Sequence, residues 1–298
     1  MSRARASLAR VSGAPGPRSR APRKSIVWLA SYPKSGNTWA RIFLGNYLFN
    51  TKTPMPINRI NQLGMADSSA QMYRAVAKGA FDPADPMQAL RLRGTVLGRI
   101  VNNDADVNFV KTHNVRDRVF GVDLIPAKLT RSAICIIRDP HDVAISYARH
   151  FGHTLEAAVA SIGRSNNTTA GGGDTVKQFL CSWSEHVTSW TRTREFPVLV
   201  LRYEDLQADP EAAFAKALTH IGVPVDDQRL ARAIRFSSFD ELRQQEKKDP
   251  FAERSNKSER FFHTGKSGQW RDVMPEVLVE KIRRDHGAVM REFGYLDG

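Results

Sequence analysis

Ile26-Val27-Trp28-Leu29-Ala30, followed at once by Ser31-Tyr32-Pro33-Lys34-Ser35-Gly36-Asn37-Thr38-Trp39, is the stretch whose reading decides the fold. Five apolar residues without alternation read as a strand covered on both faces, as in parallel sheets. A short polar loop follows, and a helical pattern then runs from Thr38 to Phe49. The N-terminus of a helix presents unpaired backbone N–H groups and the positive end of a dipole. Lys34 adds a point charge, and Ser35 and Thr38 add hydroxyl donors, so the loop suits a bound phosphate. It is not the NTPase form G-x-x-x-x-G-K-[ST], because Lys34 precedes Gly36 and the first glycine is missing.

Working outward, the runs Asn108–Lys111, Ala133–Ile137 and Val198–Leu201 read as further strands of the same kind. Helical patterns lie at Thr38–Phe49, Asp142–His150, Val176–Thr193, Pro210–Ile221, Asp227–Ile234 and Pro275–Phe293, the last stopped by Gly294. Strand–helix alternation predicts one doubly wound α/β domain over 25–298. Residues 51–107, with Pro54, Pro56, Pro83 and Pro86, show no clear strand. Residues 164–175 read as a polar loop, and the charged stretch 243–260 also reads as loop. In open α/β sheets such insertions at the carboxyl ends of strands shape the pocket for a second substrate.

The chain has 298 residues, of which 41% are hydrophobic, enough for one large core. No apolar run approaches the ~18–20 residues of a membrane span. Two cysteines rule out a disulfide framework, and Cys135 lies inside an apolar run as a buried thiol, which together predict a cytoplasmic location. Net charge is +13. The first 25 residues carry seven basic residues and no acid, so +6 belongs to the body. Residues 1–24 lack periodicity and an apolar segment, and are expected to be a disordered basic tail. A basic body suits a polyanionic nucleotide and would equally suit nucleic acid. The body lacks both aromatic–basic interleaving and a helix-turn-helix pattern, so no specific nucleic acid is expected.

Two more strand ends carry chemistry. Ile137-Arg138-Asp139-Pro140-His141-Asp142 leads through a Pro turn into a helix that holds Ser146. Arg138 offers a fork for phosphate oxygens and Ser146 a hydroxyl, while Asp139 and Asp142 are read as helix-capping and dipole-complementing residues. Phe109-Val110-Lys111-Thr112-His113 ends in an imidazole whose ordinary titration near 6.5 lets it accept a hydroxyl proton at neutral pH. The other histidines show no metal-ligand spacing, and no metal is expected.

Taken in order, these segments resemble the PAPS-dependent sulfotransferases of the cytosolic and bacterial type, where PAPS is 3′-phosphoadenosine 5′-phosphosulfate. The resemblance covers 26–50, 108–113, 134–147, 198–222, 236–240 and 262–294. It implies a single P-loop-like α/β domain with a central parallel sheet flanked by helices. It also implies PAPS as co-substrate, no metal, and an acceptor bearing a hydroxyl (or amine) on a small molecule, glycan or lipid. The resemblance assigns Lys34, Ser35, Gly36, Asn37 and Thr38 to the 5′-phosphosulfate, and Trp39 is a further candidate for stacking on adenine. It assigns Arg138 and Ser146 to the 3′-phosphate, and Tyr203, Ser237 and Phe239 to the adenosine end. His113 becomes the catalytic base, Lys34 the group that stabilises the departing phosphate, and Lys111 a support for the sulfonate.

One segment departs from the family pattern Arg-Lys-Gly-x-x-Gly-Asp-Trp. Here it reads His263-Thr264-Gly265-Lys266-Ser267-Gly268-Gln269-Trp270. Gly265 is still expected to wrap the 3′-phosphate, with Lys266 restoring the missing charge. Gly265-Lys266-Ser267 mimics the end of a Walker loop, but position 260 is Arg and no strand precedes it. The alternatives are a P-loop kinase or NTPase and a non-catalytic nucleotide- or nucleic-acid-binding protein. The kinase would want a lysine after the glycine and a Mg²⁺-binding carboxylate at a strand end, where Arg138 stands instead.

Overall fold

The described residues, 24–297 of a computed structural model, build five parallel strands and their covering helices. In chain order these are β1 (Ser25–Ser31), α1 (Asn37–Leu48), β2 (Gly64–Ala66), α2 (Ala70–Arg74), α3 (Pro86–Val101) and β3 (Val107–Thr112). A two-stranded hairpin, β4 (Arg118–Val119) and β5 (Val122–Asp123), precedes β6 (Thr130–Ile137), α4 (Pro140–Phe151), α5 (Leu155–Ile162) and α6 (Trp183–Thr191). Then come β7 (Val198–Arg202), α7 (Tyr203–Ala208), α8 (Pro210–His220), α9 (Asp227–Phe236), α10 (Phe239–Lys248), α11 (Trp270–Val273) and α12 (Glu276–Glu292). The basic tail expected over 1–24 falls almost wholly on residues 1–23, which lie outside the described residues.

The sheet order is β2-β3-β1-β6-β7. All seven residues of β1 are buried, as its unbroken apolar run requires. Its side chains alternate between two cores. Ile26, Trp28 and Ala30 pack with α4, α6 and α12, through Val143, Trp190 and Ile282 among others. Val27 and Leu29 face α1, α8 and α9, where Phe43 stacks on Phe214 with ring centres 3.7 Å apart. Ala30 is level with Thr112 on one side, and Ser31 with Ile136 on the other. The loops that leave β1, β3 and β6 therefore emerge at one edge.

The four strands and their parallel order are as the sequence indicates. The insertion 51–107 contains what its prolines concealed. β2 pairs with β3 from Gly64 to Ala66, where a Cβ at Gly64 would stand 2.1 Å from the Phe109 carbonyl oxygen. α3 starts at Pro86, with the Asp85 side chain accepting from the backbone N–H groups of Met87 and Gln88. α6 begins seven residues later than its apolar pattern suggests. Ser182 and Glu185 form a reciprocal capping box there, and residues 176–180 are instead an irregular segment beside the site that buries Val176, Gln178 and Leu180. The stretch 243–260 is helical as far as Lys248, because Ser238 caps α10 and its buried face carries Leu242 and Glu246. No helix among the described residues is long and apolar enough to cross a membrane.

Candidate active site

A cavity of about 460 Å³ opens at the carboxyl edge of the sheet. Lys34, Gly36, Asn37, Thr38 and Trp39 line it from the loop after β1, Lys111 and His113 from the end of β3, and Arg138 from the end of β6. Ser146 joins them from α4, Tyr203 from α7 and Phe239 from α10, with Gly265 from the loop that follows. Residues up to 231 positions apart along the chain, Lys34 and Gly265, thus share one wall or the facing one.

Two residues of the loop after β1 adopt left-handed backbone, Lys34 at φ 72° and Gly36 at φ 103°. For Lys34 this is an uncommon conformation of the kind that clusters at functional sites. For Gly36 a side chain is also excluded, since a Cβ would lie 2.6 Å from the Tyr203 ring. Asn37 ties the loop to its strand by donating to the Leu29 carbonyl at 2.8 Å. The Ser35 hydroxyl is fully buried and has no protein partner.

Lys34 Nζ donates to His150 Nδ1 at 3.3 Å and lies 3.9 Å from the centre of the Phe261 ring. Burial, with the Lys111 and Arg138 cations beside it, brings its ammonium down to about 7. His150 is brought down to about 3 by burial and then by Lys34, so it is neutral and accepts.

His113 Nδ1 donates to the Ser31 carbonyl at 2.8 Å, which leaves the Nε2 lone pair free. Burial, then the Lys111 charge, holds this imidazole well below its ordinary 6.5. Gln178 receives the His113 backbone N–H at 3.0 Å, and His186 donates to the His113 carbonyl at 3.2 Å. Lys111 is engaged by Glu253 at 3.0 Å, and Glu253 also accepts from the buried Arg41 at 2.7 Å. Burial opposes the charge on Glu253, but the Lys111 and Arg41 cations prevail and hold its carboxyl well below the usual range.

Arg138 donates to the Lys34 carbonyl at 3.3 Å and to the Lys266 carbonyl at 3.0 Å. Its guanidinium also lies 4.3 Å over the Tyr203 ring, while its buried Nε has no partner. The Tyr203 hydroxyl crosses the cavity and donates to the Gly265 carbonyl at 3.1 Å. Gln207 donates to the same carbonyl, and Ser267 donates to Gln207. Gly265 needs its φ of 64°, and a Cβ there would meet the Phe239 ring at 2.4 Å.

Asp142 does more than complement the start of α4. Its carboxylate accepts from the backbone N–H groups of Gly268 at 2.6 Å and Trp270 at 3.3 Å, which fastens the far loop to α4. Asp139 caps α4 by accepting from the His141 N–H at 2.9 Å, and it also receives the Trp270 indole N–H at 3.0 Å.

Three residues named from the sequence stand off the cavity lining. The Ser35 hydroxyl lies buried beneath the loop. The Ser237 hydroxyl is buried and spent on the Ala233 carbonyl at 2.8 Å. Lys266 is exposed, and only its carbonyl reaches the site. Conversely, sequence reasoning missed Arg149, His150, Gln207, Glu253 and Phe261, all of which line the cavity. Arg149 and His150 follow Ser146 on the same helix by one turn, which was a usable signal. Glu253 sits in an irregular segment without periodicity and gave none.

The sulfotransferase domain family matches residues 24–294. Sulfotransferase 1 family member D1 of Rattus norvegicus is 24% identical over 289 residues, covering 91% of this chain and 85% of the relative. Flavonol 3-sulfotransferase of Flaveria bidentis is 23% identical over 280 residues, covering 86% and 78%. Among solved structures, retinol dehydratase in a complex with retinol and PAP superposes with a TM-score of 0.63 at 18% identity, over 90% of this chain and 82% of that one. Mouse sulfotransferase SULT7A1 complexed with PAP gives 0.57 at 20% identity, over 91% and 86%. These two likenesses agree in the fold.

Proposed function

The chain belongs to the sulfotransferase domain family, and from that premise we propose that it moves a sulfuryl group from PAPS to a hydroxyl or amine on a small-molecule acceptor. The observation that carries this reading is the pairing of two groups at one cavity. One is a neutral His113 whose only committed nitrogen is Nδ1, and the other is Lys34, in the loop that leads into a helix.

His113 Nε2 takes the acceptor's proton as the acceptor oxygen bonds to sulfur. The bond from sulfur to the bridging oxygen of the 5′-phosphate breaks, and Lys34 stabilises the charge left on that oxygen. Lys111 supports the sulfonate with the N–H donors that Glu253 leaves free. The products are a sulfated acceptor and adenosine 3′,5′-bisphosphate (PAP), with the proton on His113 until solvent removes it. Like phosphoryl transfer, the reaction depends on positioning and charge. The PAP in the solved complexes favours this co-substrate, and buried Ser35 Oγ and Arg138 Nε without protein partners suit its anionic groups. The relative named for a flavonol and the complex with retinol favour a hydroxyl on a small organic molecule.

Calorimetric titration with PAP, and with ATP plus Mg²⁺ in parallel, tests the reading. Tight binding of PAP and none of ATP is expected. The reverse would return the loop at 31–39 to an NTPase. Because His113 is held neutral, the acid limb of kcat/KM is expected below pH 6.5, and a limb above pH 7 assigned to this residue would contradict its role.

A further inference from the structure

PAP and PAPS carry a phosphate at each end of the ribose, so a cavity for them needs two cationic subsites. The phosphate loop supplies one. At the other, the sequence offers His263 and Thr264 where two cations are expected, and Lys266 points away from the lining. The geometry points to Arg149 as the cation that completes the second phosphate subsite, an inference that rests on the nucleotide assigned above.

α4 lines the cavity with Asp142, Ile145, Ser146 and Arg149, the spacing of one helical stripe, and with His150 and Phe151 at its end. Four lysines and arginines line the cavity among the described residues: Lys34, Lys111, Arg138 and Arg149. Three are engaged. Lys34 holds His150, Lys111 holds Glu253, and Arg138 holds two backbone carbonyls. Arg149 alone has no hydrogen bond or ion pair among the described residues, and it reaches the cavity from an otherwise exposed position. The carboxylate two turns back, Asp142, is occupied by the Gly268 and Trp270 N–H groups and by Arg138 at 3.9 Å. Opposite this face stands His263, whose imidazole burial and then the charges of Arg149 and Arg260 push down, so it enters the subsite neutral. It can donate a hydrogen bond but brings no charge. Arg138 supports the same end, since its buried Nε still lacks a partner. A phosphate at this end would meet the Arg138 fork from the strand side, the Ser146 hydroxyl between, and the Arg149 fork from the helix side.

The test compares two ligands that differ by one phosphate, PAP and adenosine 5′-monophosphate, on the full chain and on three variants. Wild type should bind PAP far more tightly than the monophosphate. Arg149→Ala should weaken PAP about 10- to 100-fold, the range of a hydrogen bond to a charged group, and leave the monophosphate within about twofold. Arg149→Lys, which keeps charge but not the fork, should fall between. Arg260→Ala removes a neighbouring exposed cation that does not line the cavity, and should change PAP affinity by less than about twofold. Retained monophosphate binding also certifies that a variant is folded. Equal losses for both ligands, an Arg260→Ala effect as large as that of Arg149→Ala, or an unchanged PAP affinity in Arg149→Ala would each overturn the assignment. A wild type that binds both ligands alike would instead overturn the nucleotide reading itself.

Discussion

The two walls of the cavity are built by different means. The near wall (Lys34 to Trp39, Lys111 with His113, and Arg138) hangs from the ends of three adjacent strands, β1, β3 and β6. Its geometry is set by sheet register. The far wall, residues 261–270, belongs to no strand and stays in place through side chains that reach across to it. Asp142 holds two of its backbone N–H groups, Tyr203 and Gln207 hold the Gly265 carbonyl, and Glu246 receives the Phe261 and Phe262 N–H groups. The near wall holds the groups proposed for bond making, His113 and Lys34, and the far wall those that shape what is held. Damage to these two residues should therefore appear in kcat, and damage to the far wall in affinity and local stability.

The largest effect should come from the near wall. His113→Ala should lower kcat by about 10³-fold while PAP still binds, because general-base contributions run at ~10²–10⁴. Turnover close to wild type would remove His113 from the mechanism and the comparison with it. Lys34→Met should cost about 10²–10³-fold in kcat, the usual loss when one partner of a developing charge is removed. A change confined to KM would move Lys34 from chemistry to binding.

The far wall should respond more mildly and differently. Asp142→Asn keeps an acceptor but replaces a charged one, and should destabilise the protein by about 1–2 kcal/mol in denaturant titrations. Its kcat at saturating PAPS should stay within about threefold. A kcat loss as deep as that of Lys34→Met would mean that the walls are not separable. Gly265→Ala forces a side chain onto left-handed backbone and against Phe239, and should weaken PAP binding by about tenfold.

The smallest signal is a proton. With burial bringing Lys34 down to about 7, most of these side chains are neutral at pH 8. An anion beside the amine returns it to the charged form, so PAP binding at pH 8 should take up close to one proton. The uptake should fade below pH 6, where Lys34 is already charged. Titrations in HEPES and in Tris, whose ionisation enthalpies differ, read this number directly. Lys34→Arg, which cannot titrate, should abolish it. An undiminished uptake in that variant would assign the proton elsewhere.

The same division explains what the sequence disclosed. The near wall was legible because each of its pieces is an apolar run ending in a short polar segment, and because parallel strands bring their carboxyl ends together. The far wall was legible only as a departure from a pattern. Asp142 reads as a helix-start acid when taken with its neighbours, and its partners lie 126 and 128 residues away. Glu253 is anchored to Arg41 across 212 residues and to Lys111 across 142, distances at which local spacing says nothing. α3 was concealed differently. Its buried stripe of Ala89, Leu90, Arg93, Val96, Leu97 and Ile100 contains an arginine, which donates to the Leu124 carbonyl and to Asp67, and this polar member broke the apolar pattern.

Tyr203 gives the cavity a gauge. One edge of its ring rests where a Cβ of Gly36 would be, its face lies under Arg138, and its hydroxyl meets the Gly265 carbonyl. A phenol is rigid from ring to oxygen, so the gap between the two walls is fixed by covalent bond lengths and not by the flexibility of either loop. Substitutions elsewhere in the loops can accumulate without the slot changing width, provided this one position keeps both its ring and its oxygen. Replacing it with a longer or shorter side chain would regrind the slot for a ligand of another thickness.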